Sequence, residues 1–214
     1  MLLRSKWQNN FIWRFGDTLG PKMAKPKHLK HSPLRPCVNH FSHSHPLRPI
    51  DQIQAEDELI CSGCGLEVTG RTFICSKSWC DFLVHKSCFD LEFELQHKSH
   101  PQHTLKLLST PPHNYSRKIY FCNACRDYGT GFDYHCKICQ YDLHVGCANL
   151  PKTLKHKDHQ HLLTLYYSFT SIKDSIQSFV CDLCGQNVPN GIWVYYCEQC
   201  DFGIHSRCTI PDKY

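Results

Sequence analysis

The sequence lacks a long apolar run. No stretch of about 18 consecutive apolar residues occurs, so we expect no membrane-spanning helix. The first 20 residues also lack the apolar core of about 7 to 15 residues that marks a secretory leader, because Arg4, Lys6, Arg14 and Asp17 interrupt them. We therefore expect an intracellular protein, cytoplasmic or nuclear, whose thiols stay reduced.

Positive charge is scarce beyond the first 48 residues. The chain carries 24 Lys and Arg against 19 Asp and Glu, but nine of the basic residues and only one acid, Asp17, lie in those 48. A nucleic-acid-binding module concentrates basic residues on its reading surface. We therefore expect no nucleic-acid partner, and we interpret residues 1–39 as a basic, disordered N-terminal segment.

Cysteine and histidine are abundant, with 16 of each. Cys61, Cys122 and Cys181 each open a Cys-x2-Cys pair and lie 61 and 59 residues apart, so the chain is a repeat. Each copy carries a cluster of three His, two Cys pairs and a His-x2-Cys. A unit of about 60 residues buries too little apolar surface to be stable without disulfides or metal. The fixed place of His favours zinc, because a disulfide framework has no use for imidazole.

Each repeat offers ligands for two tetrahedral zinc ions, each of which takes four Cys or His side chains. The count includes one His before the first Cys pair and one His after the last Cys. That trailing His lies at a constant distance, because eight residues separate Cys88 from His97 and Cys147 from His156. Short apolar runs follow the His clusters, and the run at residues 162–167 is typical of a strand.

The second half of each repeat carries a resemblance to a known family. The segments that carry the resemblance are CDFLVHKSC, CQYDLHVGC and CDFGIHSRC. His45-Pro46-Leu47, near the start of the first repeat, also carries it. The chain resembles the divergent C-one repeat of the plant cysteine/histidine-rich proteins, a form of the protein kinase C-type zinc domain that binds phorbol esters and diacylglycerol. The resemblance implies small zinc-stabilised β-rich (α+β) modules with little regular helix, in three tandem copies at residues 40–97, 98–156 and 157–214.

The resemblance also implies two interleaved zinc sites in each repeat. The first site combines the first Cys pair with His-x2-Cys: Cys61, Cys64, His85 and Cys88; Cys122, Cys125, His144 and Cys147; Cys181, Cys184, His205 and Cys208. The second site combines the second Cys pair with a leading and a trailing His: His45, Cys75, Cys80 and His97; His103, Cys136, Cys139 and His156. Interleaving ties the ends of a repeat to its middle, so zinc binding contributes on the order of 10 kcal/mol per ion to folding.

The third repeat is expected to be truncated. It offers His161, Cys197 and Cys200 for its second site, but the chain ends at Tyr214, before the position of a trailing His. This site is expected to recruit His159, to accept water or to stay empty. The chain would then hold five or six zinc ions.

Spacing leaves the choice of His open in the other repeats as well. His43 and His100 compete with the neighbouring His as ligands of the second site. His113 and His135 are expected to carry no metal. Four residues rather than two separate Cys75 from Cys80, which predicts a wider turn at that pair.

These features favour a non-enzymatic zinc-binding interaction module, a protein–protein adaptor in signalling or stress response. In relatives that bind diacylglycerol, a long loop between the Cys pairs carries a Pro and a Gln-Gly that open an apolar groove. Here ten, ten and twelve residues separate the pairs, and no Gln-Gly occurs. Pro189 and Gly191 come nearest to that pattern, with Ile192, Trp193 and Val194 as candidate apolar tips. We therefore expect no response to diacylglycerol.

The sequence leaves other hypotheses for the function open. Some plant thioredoxin-like reductases carry such a repeat, so the chain is alternatively a thiol–disulfide oxidoreductase-associated protein, although a redox Cys pair needs a βαβ setting and a low-pKa thiol. A lipid- or membrane-binding regulator is another alternative. A three-ligand zinc with water is also a catalytic pattern, but no Asp or Glu recurs beside it as a general base. The zinc cross-brace of ubiquitin ligases requires a different ligand order.

Overall fold

The computed structural model describes residues 35–51, 59–112, 118–168 and 178–209. These residues form three repeats of short antiparallel strands, which confirms the predicted β-rich modules with little helix. The segment up to residue 34 and His113 lie outside the described residues. Within the described part of the chain, no helix is long and apolar enough to cross a membrane.

The first repeat is a four-stranded sheet followed by one turn of helix. Its elements are β1 (Val38–His40), β2 (His43–Ile50), β3 (Thr72–Cys75), β4 (Leu83–His85) and α1 (Lys86–Phe89). The sheet order is β1-β2-β3-β4, and an isolated bridge between Ile60 and Glu67 spans the first Cys pair.

The second repeat follows the same plan. Its elements are β5 (Glu94–Leu95), β6 (Leu105–Leu108), β7 (Tyr120–Phe121), β8 (Tyr128–Gly129), β9 (Asp133–Cys136), β10 (Tyr141–His144) and α2 (Val145–Ala148). The sheet order is β10-β9-β6-β5, and β7 pairs with β8 in a separate hairpin around the first Cys pair.

The third repeat completes the series. Its elements are β11 (Thr153–Lys155), β12 (Leu162–Tyr166), β13 (Ser178–Val180), β14 (Asn187–Pro189), β15 (Val194–Cys197), β16 (Phe202–His205) and a 3-10 turn (Ser206–Thr209). The sheet order is β11-β12-β15-β16, with β13 and β14 paired separately.

In β6 and β12, buried and more exposed residues alternate. In β6, Leu105 and Leu107 are buried and Lys106 is exposed, and in β12 Leu163 and Leu165 are buried. Successive side chains of a strand point to opposite faces of its sheet, so this alternation turns one face to the core.

The sheets begin earlier in the chain than the ligand pattern indicates. β5 pairs with β6 and β11 pairs with β12, although the predicted boundaries at 97/98 and 156/157 assign β5 and β11 to the preceding repeat. The pairing of a two- or three-residue strand depends on its partner, and the spacing of Cys and His carries no information on it.

One apolar core runs through all three repeats. Leu47, Leu105 and Leu163 occupy the equivalent position of each repeat, two residues after the last His of each cluster, and all three are fully buried. Cysteines of the predicted sites lie in the same cluster. Each group of metal-type ligands therefore has at least one cysteine in the core, whereas Cys139, Cys184 and Cys200 are exposed.

Candidate metal centres

The first predicted site of each repeat is assembled in the structure. The ligand atoms of Cys61, Cys64, His85 and Cys88 all lie within 4.8 Å of one another, as do those of Cys122, Cys125, His144 and Cys147. In the third repeat, Cys184 Sγ lies 3.4 Å from His205 Nδ1, and Cys208 Sγ lies 3.9 Å from Cys181 Sγ and 3.8 Å from His205 Nδ1.

These separations fit a tetrahedral zinc ion. Bonds of about 2.0–2.3 Å at tetrahedral angles place neighbouring ligand atoms about 3.3–3.8 Å apart. Cys64 Sγ and Cys125 Sγ each lie 3.4 Å from the Nδ1 of the His in their group. The other ring nitrogen of His85 bonds the carbonyl of Glu67 at 3.0 Å, which leaves Nδ1 free of hydrogen to bind a metal.

The backbone folds tightly around the first Cys pair. The residue after each pair is Gly65, Arg126 or Gly185, and all three have a positive φ of 63° to 70°. In the first repeat the amide of Gly65 donates to the carbonyl of Cys61 at 2.9 Å. Glycine adopts this conformation at no steric cost, whereas Arg126 adopts it under strain.

The second site of each repeat draws both of its histidines from the same cluster. The groups are His43, His45, Cys75 and Cys80; His100, His103, Cys136 and Cys139; His159, His161, Cys197 and Cys200. Ligand-atom distances include 3.3 Å from Cys80 Sγ to His43 Nε2, 3.3 Å from Cys139 Sγ to His103 Nδ1 and 3.0 Å from Cys200 Sγ to His161 Nδ1.

In the third repeat, His159 joins the group, as one of the alternatives from the sequence proposed. In the first two repeats, His43 and His100 stand where the trailing His97 and His156 were expected. In the first repeat, His43 and His45 lie two residues apart in β2, so their side chains share a face and reach the same site.

Aromatic stacking selects these histidines. Phe82 stacks on His43 with ring centroids 4.2 Å apart, and Phe202 stacks on His159 at 4.3 Å. Tyr141 stacks on His100 at 4.7 Å. Each aromatic lies two residues after the second Cys pair. The aromatic residue at this fixed position was visible in the sequence, but the His on which it packs could not be predicted from spacing.

Two buried nitrogen atoms support a metal at this site. The Nε2 atoms of His100 and His159 are shielded from solvent and have no hydrogen-bond partner. A buried polar atom without a partner is costly, and here each belongs to a four-ligand group that a metal ion would satisfy. The donor set of two thiolates and two imidazoles suits zinc.

The first His of a cluster has a structural role. His40 Nε2 donates to the carbonyl of Phe89 at 3.1 Å, just after the last Cys of its repeat. His97 Nδ1 accepts from the amide of Ser99 at 3.1 Å, and His97 also contacts the carbonyl of Ala148. Burial lowers the pKa of both imidazoles, so they are neutral hydrogen-bonding groups.

The remaining predicted residues are also placed. His156 Nδ1 accepts from the amide of Asp158 at 3.2 Å. His135, expected to carry no metal, pairs through Nδ1 with the buried carboxylate of Asp142 at 2.7 Å.

Comparison with known proteins decides the family. The C1 domain family matches residues 41–89, 98–148 and 157–209, which is most of the chain and one match for each repeat. The chain belongs to the C1 domain family. C1 domains bind zinc and are generally non-catalytic modules that bind proteins or lipids.

Among curated proteins, the chain is similar to Probable nucleoredoxin 1 of Arabidopsis thaliana. The two are 32% identical over 65 residues, which is 30% of this chain and 10% of that protein. The chain therefore aligns with only a tenth of the length of this relative. No solved structure matches the chain.

In the first site of each C1 repeat, the thiols lie too close to hold their protons independently. In the third repeat the neighbouring Cys208 lowers the pKa of Cys181 to about 2, and Cys181 in turn raises that of Cys208. Burial lowers the pKa of His144, but the thiols of Cys122 and Cys125 outweigh it and raise this pKa to about 10. Such a cluster attracts a cation, and zinc is the cation that suits its ligands.

The candidate apolar tips of the third C1 repeat do not face solvent. Ile192, Trp193 and Val194 are all buried. The loop between the Cys pairs is instead folded against the preceding repeat, because the amide of Trp193 donates to the carbonyl of Ala124 at 2.8 Å.

Proposed function

We propose that this chain is a zinc-bound, non-enzymatic interaction module, in which three C1 repeats bind a protein partner as an adaptor in signalling or stress response. The observation that carries the proposal is the closed ligand set of each site. Four Cys and His side chains already converge in every group, so zinc there has no open position for water or substrate. The sites serve folding, and the surface between them serves binding.

We propose six zinc ions, two in each repeat. The group of His159, His161, Cys197 and Cys200 supports six rather than five, because the third repeat supplies four ligands from within itself. A chain with these reduced thiolate sites suits the reducing cytoplasm or nucleus.

Exposed apolar side chains recur in the three repeats and support a protein partner. Ile60, Phe121 and Val180, each directly before the first Cys pair, are 52%, 66% and 61% exposed. Aromatic and aliphatic side chains of this kind anchor protein interfaces when a partner covers them. The slightly acidic composition of the repeats does not favour nucleic acid.

We further propose that the repeats do not respond to diacylglycerol. The burial of Phe132 and Trp193 supports this, because the loops between the Cys pairs of the second and third repeats are occupied by contacts with the preceding repeat. The test is sedimentation of the zinc-loaded chain with phosphatidylcholine vesicles, with and without diacylglycerol. We expect equal recovery in the pellet, and diacylglycerol-dependent recruitment would overturn this part of the proposal.

A thiol–disulfide function is the second candidate, favoured by the partial match to Probable nucleoredoxin 1. Against it, the paired thiols lie within four-ligand groups, where a metal would occupy them. Insulin reduction by dithiothreitol separates the two functions. We expect the zinc-loaded chain to leave the rate at its buffer value, and acceleration that disappears in a Cys136→Ser, Cys139→Ser variant would favour the redox function.

A further inference from the structure

Two equivalent contacts join the C1 repeats. The amide of Phe132 in the second repeat donates to the carbonyl of Gly63 in the first at 2.8 Å. The amide of Trp193 in the third repeat donates to the carbonyl of Ala124 in the second at the same distance. We name Phe132 and Trp193 the plugs. Each lies four residues before the second Cys pair of its own repeat.

Each plug enters an equivalent socket on the preceding repeat. Each socket consists of two residues of the preceding repeat. One is the residue just before the second Cys of the first Cys pair, Gly63 or Ala124, and the other is the first His of the cluster, His40 or His97. The ring of Phe132 stacks on His40 with centroids 6.4 Å apart, and the ring of Trp193 stacks on His97 at 5.2 Å. Both plugs are almost fully buried, with 1% and 2% of their surface exposed.

The socket requires a small residue beneath the ring. A Cβ atom added to Gly63 would lie 3.1 Å from the ring of Phe132 and 3.2 Å from Cys88 Cβ, closer than side chains normally pack. Ala124 fills the same place in the second repeat and is fully buried. The third repeat carries Leu183 there, a larger side chain that is partly buried against the core.

The first repeat carries Arg71 at the plug position. The equivalence is visible in the backbone, because the carbonyl of Arg71 accepts from Lys86 at 2.9 Å as that of Trp193 accepts from Ser206 at 3.3 Å. The guanidinium of Arg71 lies 3.6 Å from the carboxylate of Asp51 in an exposed ion pair. Entering a buried socket would require this charge to leave water, which is costly.

We propose that the plug and socket form an interaction surface specific for a C1 repeat with an aromatic residue at the plug position, and that Arg71 in the first repeat and Leu183 in the third prevent a second copy of this chain from binding there. In repeat proteins, an open repeat interface offers the next unit a binding surface. A head-to-tail contact that does not close by symmetry otherwise leads to open polymers.

The first test transplants each end residue into the internal junction. Trp193→Arg places Arg at the plug position, as in the first repeat, and Ala124→Leu places Leu in the socket, as in the third. In each variant, the side chain of residue 193 should no longer pack in the socket. The amide of residue 193 should then exchange its hydrogen at least about tenfold faster, because its bond to residue 124 is lost. Trp193→Phe copies Phe132 and should keep the protection, as should Leu183→Ala, which lies outside the junction. Zinc content measured on every variant shows that the repeats remain folded. Unchanged protection in both Trp193→Arg and Ala124→Leu would overturn the proposal.

The second test replaces Arg71 and Leu183 together. Sedimentation velocity at rising concentration should keep the wild-type chain at its monomer mass of 24.9 kDa. The double variant Arg71→Trp, Leu183→Ala should show a mass that rises with concentration, whereas each single variant stays monomeric because its other end is still closed. The proposal fails if the wild-type chain associates as strongly as the double variant, or if the double variant stays monomeric.

Discussion

His156 and His159 lie three residues apart and have different roles. His159 Nε2 is buried without a hydrogen-bond partner beside two thiols, whereas His156 Nδ1 accepts a backbone hydrogen bond. We predict that His159→Ala lowers the zinc content by one ion per chain and that His156→Ala leaves it unchanged. Native mass spectrometry of the two purified variants measures this. Loss of zinc in His156→Ala alone would show that the trailing His is the ligand.

Asp133 gives a prediction on pH. Its carboxylate is fully buried without a hydrogen-bond partner, and burial together with the charge of Asp142 raises its pKa from 3.8 to about 8. The folded state therefore binds a proton more tightly than the unfolded state, so stability falls as pH rises from about 4 to about 8.

The variant Asp133→Asn removes this dependence. Its gain in unfolding free energy over the wild type should be about 2 kcal/mol larger at pH 8 than at pH 6. Urea unfolding at fixed free zinc measures it at both values. An equal gain at the two pH values would show that Asp133 is already ionised at pH 6.

At the scale of single residues, the sequence predicted which cysteines come together but not which histidines. Cys pairs and His-x2-Cys have fixed spacing because a short turn holds both ligands. The three His of a cluster all lie within reach of the second site. Stacking of Phe82, Tyr141 and Phe202 on three of them is a contact between distant segments. Spacing along the chain contains no direct record of it.

Among the structural elements, the turn after the first Cys pair is constrained by its backbone conformation. Gly65 has φ of +70°, where a Cβ is strained, and Gly146 in α2 has no such constraint and open space around it. We predict that Gly65→Ala lowers the stability of the zinc-loaded chain by about 1 kcal/mol, whereas Gly146→Ala does not lower it. Thermal unfolding at fixed free zinc compares the two, and an equal loss for both would contradict the strain argument.

β12 offers a matched pair on one strand. Leu163 is fully buried, while its neighbour Leu162 faces solvent. We predict a loss of about 2–5 kcal/mol for Leu163→Ala from the cavity it leaves. For Leu162→Ala the change should stay within about 0.5 kcal/mol. Chemical unfolding of the third repeat measures both, and similar losses would mean that the strand packs with its other face inward.

The strands that carry alternating apolar residues were predictable, and β12 appears where residues 162–167 indicated it. β5 and β11 were not, because strands of two or three residues carry too little pattern of their own and form by pairing with β6 and β12. The same holds for the loop at Trp193, whose apolar residues were only the nearest approach to a lipid-binding loop. Its burial follows from the preceding repeat.

In the whole molecule, we propose that each repeat supplies all ligands of its two metal sites and that the plugs join consecutive repeats. The composition predicted zinc and the period predicted three repeats, since both depend on residue type and spacing. The junctions depend on contacts between residues about 70 positions apart, such as Gly63 with Phe132, which no local pattern encodes.

Zinc per intact chain tests this account most directly. Native mass spectrometry of the chain, purified with zinc and without chelator, should give a mass shift of six zinc ions, because the third repeat contains a second complete group of four ligands. Five ions would show that this group stays open. A chain that folds with no zinc would contradict the account as a whole.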